Sequence, residues 1–392
     1  MTTFFLILFW ICLFLVFYSY VGYGILLFVI IKLKRMIKGK SKVPDATFEP
    51  PVTMLIAAFN EEDFIREKIE NTLSLDYPKD KFTIMIVTDG SSDKTPDIVK
   101  EYPQIELYHH PERRGKIAAV HRTMPFVKTP FVIFTDANTL LNKEVIHNMV
   151  RHYADPKVGA IAGEKRIFER DSDDASGAGE GFYWKYESAL KKWDSELYSV
   201  VGAAGELFSV RTECYEDVPK DSLIEDFYMT MKIAQKGYRV IYEPEATATE
   251  TASADVKEEL KRKVRIAAGG IQSVVRLAAL LNPFKYGILC FQYVSHRVLR
   301  WTLAPLALPL LLIANIYLAW QGSLFFQIVL ALQVLFYLAV GVGHLLAVRK
   351  IKVKLIFIPY YFFIMNYAVY AGFRRYIKGS QTVLWDKAKR AV

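Results

Sequence analysis

The sequence predicts a mostly parallel, doubly wound α/β sheet flanked by membrane helices. Three observations carry this expectation. From residue 52 onward, apolar runs of strand length alternate with stretches of helical spacing. Several of those runs end abruptly in an acid, at Glu61, Asp89 and Asp136. Outside this region, Phe4 to Ile31 holds no charged residue, a longer run than the roughly 20 apolar residues that cross a bilayer.

The N-terminal segment begins MTTFF and runs on without a small-residue cleavage site. A cleaved leader would start basic and carry a shorter core, so the segment reads as an uncleaved membrane helix. Lys32, Lys34, Arg35, Lys38, Lys40 and Lys42 follow it, and this basic flank places the next part in the cytoplasm. The expected organisation is a membrane helix over 1–34, a basic linker over 35–50, a cytoplasmic α/β domain over 51–281, and interfacial and transmembrane helices with a basic tail over 282–392. Such flanks account for the net charge of +9, so no nucleic-acid partner is implied. Cys12, Cys214 and Cys290 are far apart and support neither a disulfide framework nor a zinc site.

Within the domain, VTMLIAAF at 52–59 reads as the first strand, and Ile65, Ile69 and Leu73 give the next stretch helical spacing. FTIMIVTD ends a second strand at Asp89, and Pro96 opens a helix. IELYHH at 105–110 is a third strand, followed by the turn Arg113-Arg114-Gly115-Lys116 and a helix to about Phe126. The fourth strand is the continuous apolar run Phe131–Phe134, ending in Asp136, Ala137 and Asn138. A helix at 143–154, a strand at Val158–Phe168, an acidic Ser/Gly-rich loop at Glu169–Gly181 and a helix at Phe182–Trp193 come next. Gly202-Ala203-Ala204-Gly205 precedes Glu206 and the strand LFSVR; Leu223 to Gln235 is a helix, YRVIYEP a strand, and Asp255–Leu281 helical.

Chemistry gathers at the strand ends. Right-handed crossovers bring Glu61, Asp89 and Asp136 to one edge of a parallel sheet, where such folds bind ligands. With Gly115 and Lys116 between them, these acids suggest a nucleotide pocket. Asp136 and Asn138 are oxygen donors suited to a hard divalent cation that phosphates also hold; equally, either can cap the next helix. Arg262 and Arg265 share a helix face and can grip a pyrophosphate, or, with Lys257, Lys261 and Lys263, face lipid headgroups. Asp93 reads as a helix cap. The aromatic stripe of Tyr183, Trp184, Tyr186 and Trp193 fits core or interface better than a sugar platform.

Together, AAFNEE at 57–62, TDGSSDKT at 88–95, RGK at 114–116, TDANT at 135–139, GAAGELFSVR at 202–211, IEDF at 224–227 and RKVRIAAGG at 262–270 resemble the membrane-bound family 2 inverting glycosyltransferases. That group includes cellulose, chitin, hyaluronan and poly-N-acetylglucosamine synthases. The resemblance spans about 50–280 in family order and implies a GT-A domain, a nucleotide-sugar donor (a UDP-sugar is the expectation) and Mg²⁺ or Mn²⁺. It implies that Asp89 contacts the nucleoside, Lys116 lines the nucleotide pocket, Asp136 and Asn138 form the metal-binding DxD motif, Asp226 is the general base, and Arg262 and Arg265 hold the pyrophosphate; Glu61 is placed in the donor pocket by its strand-end position. Two departures stand out: Asn138 replaces the last acid of DxD, and Ile266 stands where processive synthases have tryptophan. Trp385, in WDKAKR, resembles the C-terminal tryptophan motif of some polymer synthases.

Beyond the domain, Pro283–Trp301 reads as an interfacial helix, and Thr302–Trp320 and Ser323–Val348 as membrane helices. Leu355–Phe373 is flanked by positive charge on both sides and is expected to be re-entrant or interfacial. The implied function is transfer of a sugar to a hydroxyl of a glycan acceptor at the inner face of the cell membrane, in extracellular polysaccharide synthesis with possible export partners. The alternatives are a non-processive transferase acting on a lipid-linked saccharide, and an inactive nucleotide-sugar-sensing scaffold. A transporter is disfavoured, because the membrane segments carry no mid-helix ionisable group except His344, near an end.

Overall fold

The structure, a computed structural model, describes residues 1–39, 47–168, 176–251, 256–349, 351 and 353–379. Trp385, part of the basic linker and the start of the acidic loop lie outside the described residues. The order of elements is α1 (Thr2–Phe17), α2 (Tyr23–Lys38), β1 (Val52–Ala58), α3 (Ile65–Leu73), β2 (Phe82–Asp89), α4 (Thr95–Lys100), β3 (Glu106–His110), α5 (Lys116–Thr123), β4 (Phe131–Asp136), β5 (Leu140–Leu141), α6 (Val145–Val150), β6 (Val158–Phe168), α7 (Ser176–Leu197), β7 (Leu207–Arg211), α8 (Glu225–Gln235), β8 (Arg239–Thr251) and α9 (Val256–Arg276). The chain then passes through α10 (Pro283–Tyr293), α11 (Leu299–Trp301), α12 (Leu303–Trp320), α13 (Leu324–Val348) and α14 (Lys354–Ile377).

The sheet has the order β3-β2-β1-β4-β7-β6-β8-β5. β3, β2, β1 and β4 are mutually parallel, as are β6 and β8; β7 runs antiparallel between β4 and β6. Both faces are covered, so side chains alternate between two cores: Leu55 joins one cluster, while Met54 and Ile56 join the other. This is why the central strands read as unbroken apolar runs. Parallel pairing brings the C-terminal ends of β1, β2 and β4 to one edge.

Among the described residues, four helices are long and apolar enough to cross a membrane. α1 and α2 form one helical stretch from Thr2 to Lys38, continuous through a π-turn at Tyr18–Gly22. Its first part packs on α12, with the Phe5 and Tyr317 rings stacked 4.2 Å apart. Its second part lies along α7: Arg35 makes a bidentate pair with Glu196, at 2.7 and 2.6 Å, and Trp193 meets Phe28 at 5.4 Å. Lys34 donates to the carbonyls of Glu196 and Leu197. The basic flank is thus tied to the α/β domain.

α12 and α13 carry the chain out and back, so with the positive flank of α2 the α/β domain faces the cytoplasm. α14 does not end at the far side. Tyr370 donates to the carbonyl of Pro305 at the start of α12 (2.6 Å). A Cβ on Gly372 would lie 2.8 Å from Ala267 of α9. Its C-terminal end therefore rests on α9 of the α/β domain.

The interfacial region α10–α11 is fastened by buried charge. Glu187 of α7, 1% exposed, pairs with Arg297 and His296, each at 3.2 Å, and with Arg300. Asp194, two turns along the same face of α7, receives His296 Nδ1 at 2.5 Å and Gln292 at 3.0 Å. Burial alone would raise the Glu187 carboxyl; Arg300, Arg297 and His296 outweigh it and hold it well below the carboxylate range.

Candidate active site

The C-terminal sheet edge gathers acids and cations from separate parts of the chain. Asp136 ends β4, and its Oδ1 accepts from Lys116 Nζ at 2.7 Å. Lys116 opens α5 and also reaches Glu225 Oε1 at 3.2 Å. Asp226 follows Glu225 in the first turn of α8. Gly205 lies beside both groups: a Cβ there would sit 3.4 Å from Asp226 Oδ2 and from Lys116 Nζ, at ordinary contact distance.

Charge balance sets the protonation of this cluster. Burial alone would lower the Lys116 ammonium, yet Asp136 and Glu225 outweigh it and hold it above the ordinary lysine value. Burial raises Asp136, with Glu206 and Glu225 adding to it and Lys116 opposing. Burial and the Glu225 charge push Asp226 up to about 7, again against Lys116. Asp226 is therefore poised to exchange a proton near neutral pH.

A second group adjoins the first. Glu206 accepts from Lys165 at 2.5 Å, and Lys165 also pairs with Glu250. Arg262 lies 3.5 Å from Glu250, 3.9 Å from Glu206 and 3.0 Å from Glu259. Burial would raise Glu206, but Lys165 and Arg262 hold it below the carboxylate range. Arg262 is thus drawn into the acid cluster rather than turned to headgroups; Arg265, three residues along α9, is half-buried.

The remaining predicted residues are placed as follows. Asp89, 4% exposed, accepts from the backbone N–H of Arg114 (2.9 Å) and Gly115 (2.6 Å) and from Arg122 (2.8 Å). These bonds commit most of its acceptor capacity to shaping the turn that delivers Lys116. Glu61 heads the turn after β1, its N–H donating to Thr95 at 2.8 Å. Asp93 accepts from the N–H groups of Thr95 and Glu62 (3.0 and 3.1 Å), which is the capping role. Asn138 is half-buried beside Asp136. In the aromatic stripe, Tyr186 and Trp193 serve the contact with α2. Trp184 instead faces the ammonium groups of Lys165, Lys191 and Lys263, at 5.4, 5.6 and 5.4 Å.

Lys165 and Glu250 escape sequence reasoning. Their signal is topological: β6 and β8 run parallel and end together, with Lys165 opposite Ala248. Nothing in the spacing of residues 165 and 250 announces that pairing.

The donor set fits a hard divalent cation. Asp136 offers a carboxylate and the neighbouring Asn138 an amide oxygen, the donor types that such an ion takes. Among the described residues no group of three or more His, Cys, Asp or Glu side chains is arranged around a metal. Such an ion would be held by Asp136 and Asn138 and completed by phosphate and water oxygens.

Comparison with known proteins bears on the family and the fold. Residues 53–218 match the family model described as glycosyl transferase family 2. Poly-beta-1,6-N-acetyl-D-glucosamine synthase of Staphylococcus aureus is 28% identical over 246 residues, 60% of this chain and 59% of that protein. The enzyme of the same name from Staphylococcus epidermidis is 24% identical over 290 residues, 70% and 69% of the two chains. The chain thus spans about 59% of the length of the S. aureus relative it matches. Among solved structures, a mannosyltransferase from Pyrobaculum calidifontis in complex with GDP-Man and Mn²⁺ superposes with a TM-score of 0.69 at 25% identity, covering 95% of this chain and 100% of that one.

Proposed function

We propose that the chain, whose residues 53–218 match glycosyl transferase family 2, is a glycosyltransferase that moves a sugar, with inversion, from a nucleotide diphosphate sugar to a hydroxyl of a glycan acceptor at the cytoplasmic face of the membrane, in polysaccharide synthesis. The observation that carries this is the meeting of Asp136, Lys116, Glu225 and Asp226 around Gly205.

The leaving group is a nucleoside diphosphate, whose growing charge needs cations aimed at it. A divalent ion, Mg²⁺ or Mn²⁺, held by Asp136 and Asn138 would supply part of that charge. Lys116 and Arg262 supply the rest from the protein, with Arg265 one turn on. The acceptor hydroxyl does not attack unaided, and Asp226, up at about 7, takes its proton. Direct displacement from the face opposite the diphosphate converts an α-linked donor into a β-linked product. Asp89 positions Lys116 through the 114–116 turn, and Glu61 shapes the neighbouring wall.

The membrane places the acceptor. Phe227, beside Asp226, meets Trp301 at 5.1 Å, and α12 begins two residues later. An acceptor hydroxyl entering at this wall comes from the bilayer side, which favours as second reading a single transfer to a lipid-linked saccharide. Product length separates the two readings. The expectation of a uridine donor stands beside a similar structure that holds GDP-Man. Turnover of purified protein on UDP- and GDP-sugars with Mn²⁺ tests the reading; no transfer from any of them would overturn it.

A further inference from the structure

We propose that Lys68 is a positioning residue for the metal-binding turn, its buried ammonium fixing the backbone that presents Asp136. This rests on the reading of Asp136 and Asn138 as the cation's ligands. Lys68 lies in α3, outside every motif, and is 1% exposed. A lysine buried this deeply is costly unless its donors are met. Its three are met by neutral groups: Thr135 Oγ1 at 3.0 Å, the carbonyl of Thr139 at 2.8 Å and Thr139 Oγ1 at 3.3 Å.

The two hydroxyls explain why a cation is needed. Thr135 gives its one proton to the carbonyl of Glu206 (2.9 Å), and Thr139 gives its own to the carbonyl of Asp136 (2.9 Å). Their oxygens are nevertheless only 3.0 Å apart. With both protons committed, lone pairs face each other across that gap. An ammonium, which donates and never accepts, relieves the contact. Take it away, and one threonine turns its proton to the other, releasing the backbone of Asp136 or of Glu206. Lys68 thereby ties the end of β4 to the residue before β7, the places from which Asp136 and Glu206 project.

α3 clamps the far side of the same turn. Asn71 donates to the carbonyl of Leu141 at 2.9 Å and accepts from its N–H at 2.8 Å. The turn carrying Asp136 and Asn138 is thus braced at both ends by one helix. Burial draws the Lys68 ammonium down to about 7 against the pull of the Asp136 charge, so the acid it positions also helps it keep its proton.

The test is Lys68→Met, which keeps length and removes the donors. Free Mn²⁺ is followed by EPR as the full-length protein is titrated in with UDP or GDP. Outer-shell supports of metal ligands typically matter by about 10–100-fold in affinity, so the Mn²⁺ dissociation constant should rise about tenfold or more, and turnover should recover at high Mn²⁺. A role limited to charge predicts the opposite, since losing a nearby positive charge tightens cation binding. Unchanged or tighter Mn²⁺ binding by folded Lys68→Met overturns the proposal. Should that variant fail to fold, Thr139→Val interrupts the same relay and must weaken Mn²⁺, with Thr139→Ser restoring it; wild-type affinity in Thr139→Val also overturns it. Wild-type protein that binds no Mn²⁺ with either nucleotide would instead overturn the assignment of Asp136 and Asn138, and the proposal with it.

Discussion

Replacing Asp226 by asparagine should move activity and stability in opposite directions. The carboxyl is half-buried beside Glu225, and desolvation with that neighbour's charge puts its pKa at about 7 in the folded protein against 3.8 for an ordinary aspartate. Ionising it therefore costs the folded state and not the unfolded chain. Each factor of ten in acidity is worth about 1.4 kcal/mol, so the cost reaches roughly 4 kcal/mol at pH values above 7. It shrinks as pH falls through 7 and vanishes below about 4, where both states hold the proton. Asparagine keeps the shape and carries no charge. Asp226→Asn in detergent should melt higher than wild type at pH 8, with a smaller gain at pH 5, as read by scanning fluorimetry. Sugar transfer should meanwhile fall by about 10²–10⁴, the usual worth of a general base, with nucleotide binding largely kept. Near-wild-type turnover would show that the base lies elsewhere. A variant less stable than wild type at pH 8 would refute the electrostatic argument.

Three further outcomes follow from the same geometry. In wild type, kcat/KM should rise about tenfold per pH unit up to about 7 and then level, because the base works deprotonated; a profile flat from pH 5 to 8 would contradict this. Chelation with EDTA should abolish transfer, and Mn²⁺ or Mg²⁺ should restore it in wild type but not in Asp136→Ala, measured as nucleoside diphosphate release. Glu187→Ala strips the shared anion from Arg297, Arg300 and His296 and should lower stability by roughly 3–5 kcal/mol, the range for breaking a buried charge pair; an unchanged melting temperature would show that this junction contributes little.

Much of the fold could be read from the chain because each central strand is buried on both faces. Phe131–Phe134 needs no alternation to be recognised, and its sharp end at Asp136 marks the sheet edge. The short β5 at Leu140–Leu141 left no such trace: two residues are too few for a period, and its pairing with Ala248 and Thr249 of β8 depends on distant sequence. The site divides similarly. Asp136 and Lys116 each close a recognisable turn, and the structure joins them. Lys165, Glu250 and Lys68 carry no local sign, since a lysine on a helix or strand reads as solvated until the fold buries it. Asp89 shows the limit of motif reading in the other direction: its position was evident, but not that three donors would hold it.

The proposed reaction is a direct displacement at one cluster of acids and cations on the cytoplasmic face. The most direct measurement is the anomeric configuration of the product, by proton NMR, when purified full-length protein uses an α-linked nucleotide sugar with Mn²⁺. A β-linked product that disappears in Asp226→Asn is the predicted result. An α-linked product would contradict the account.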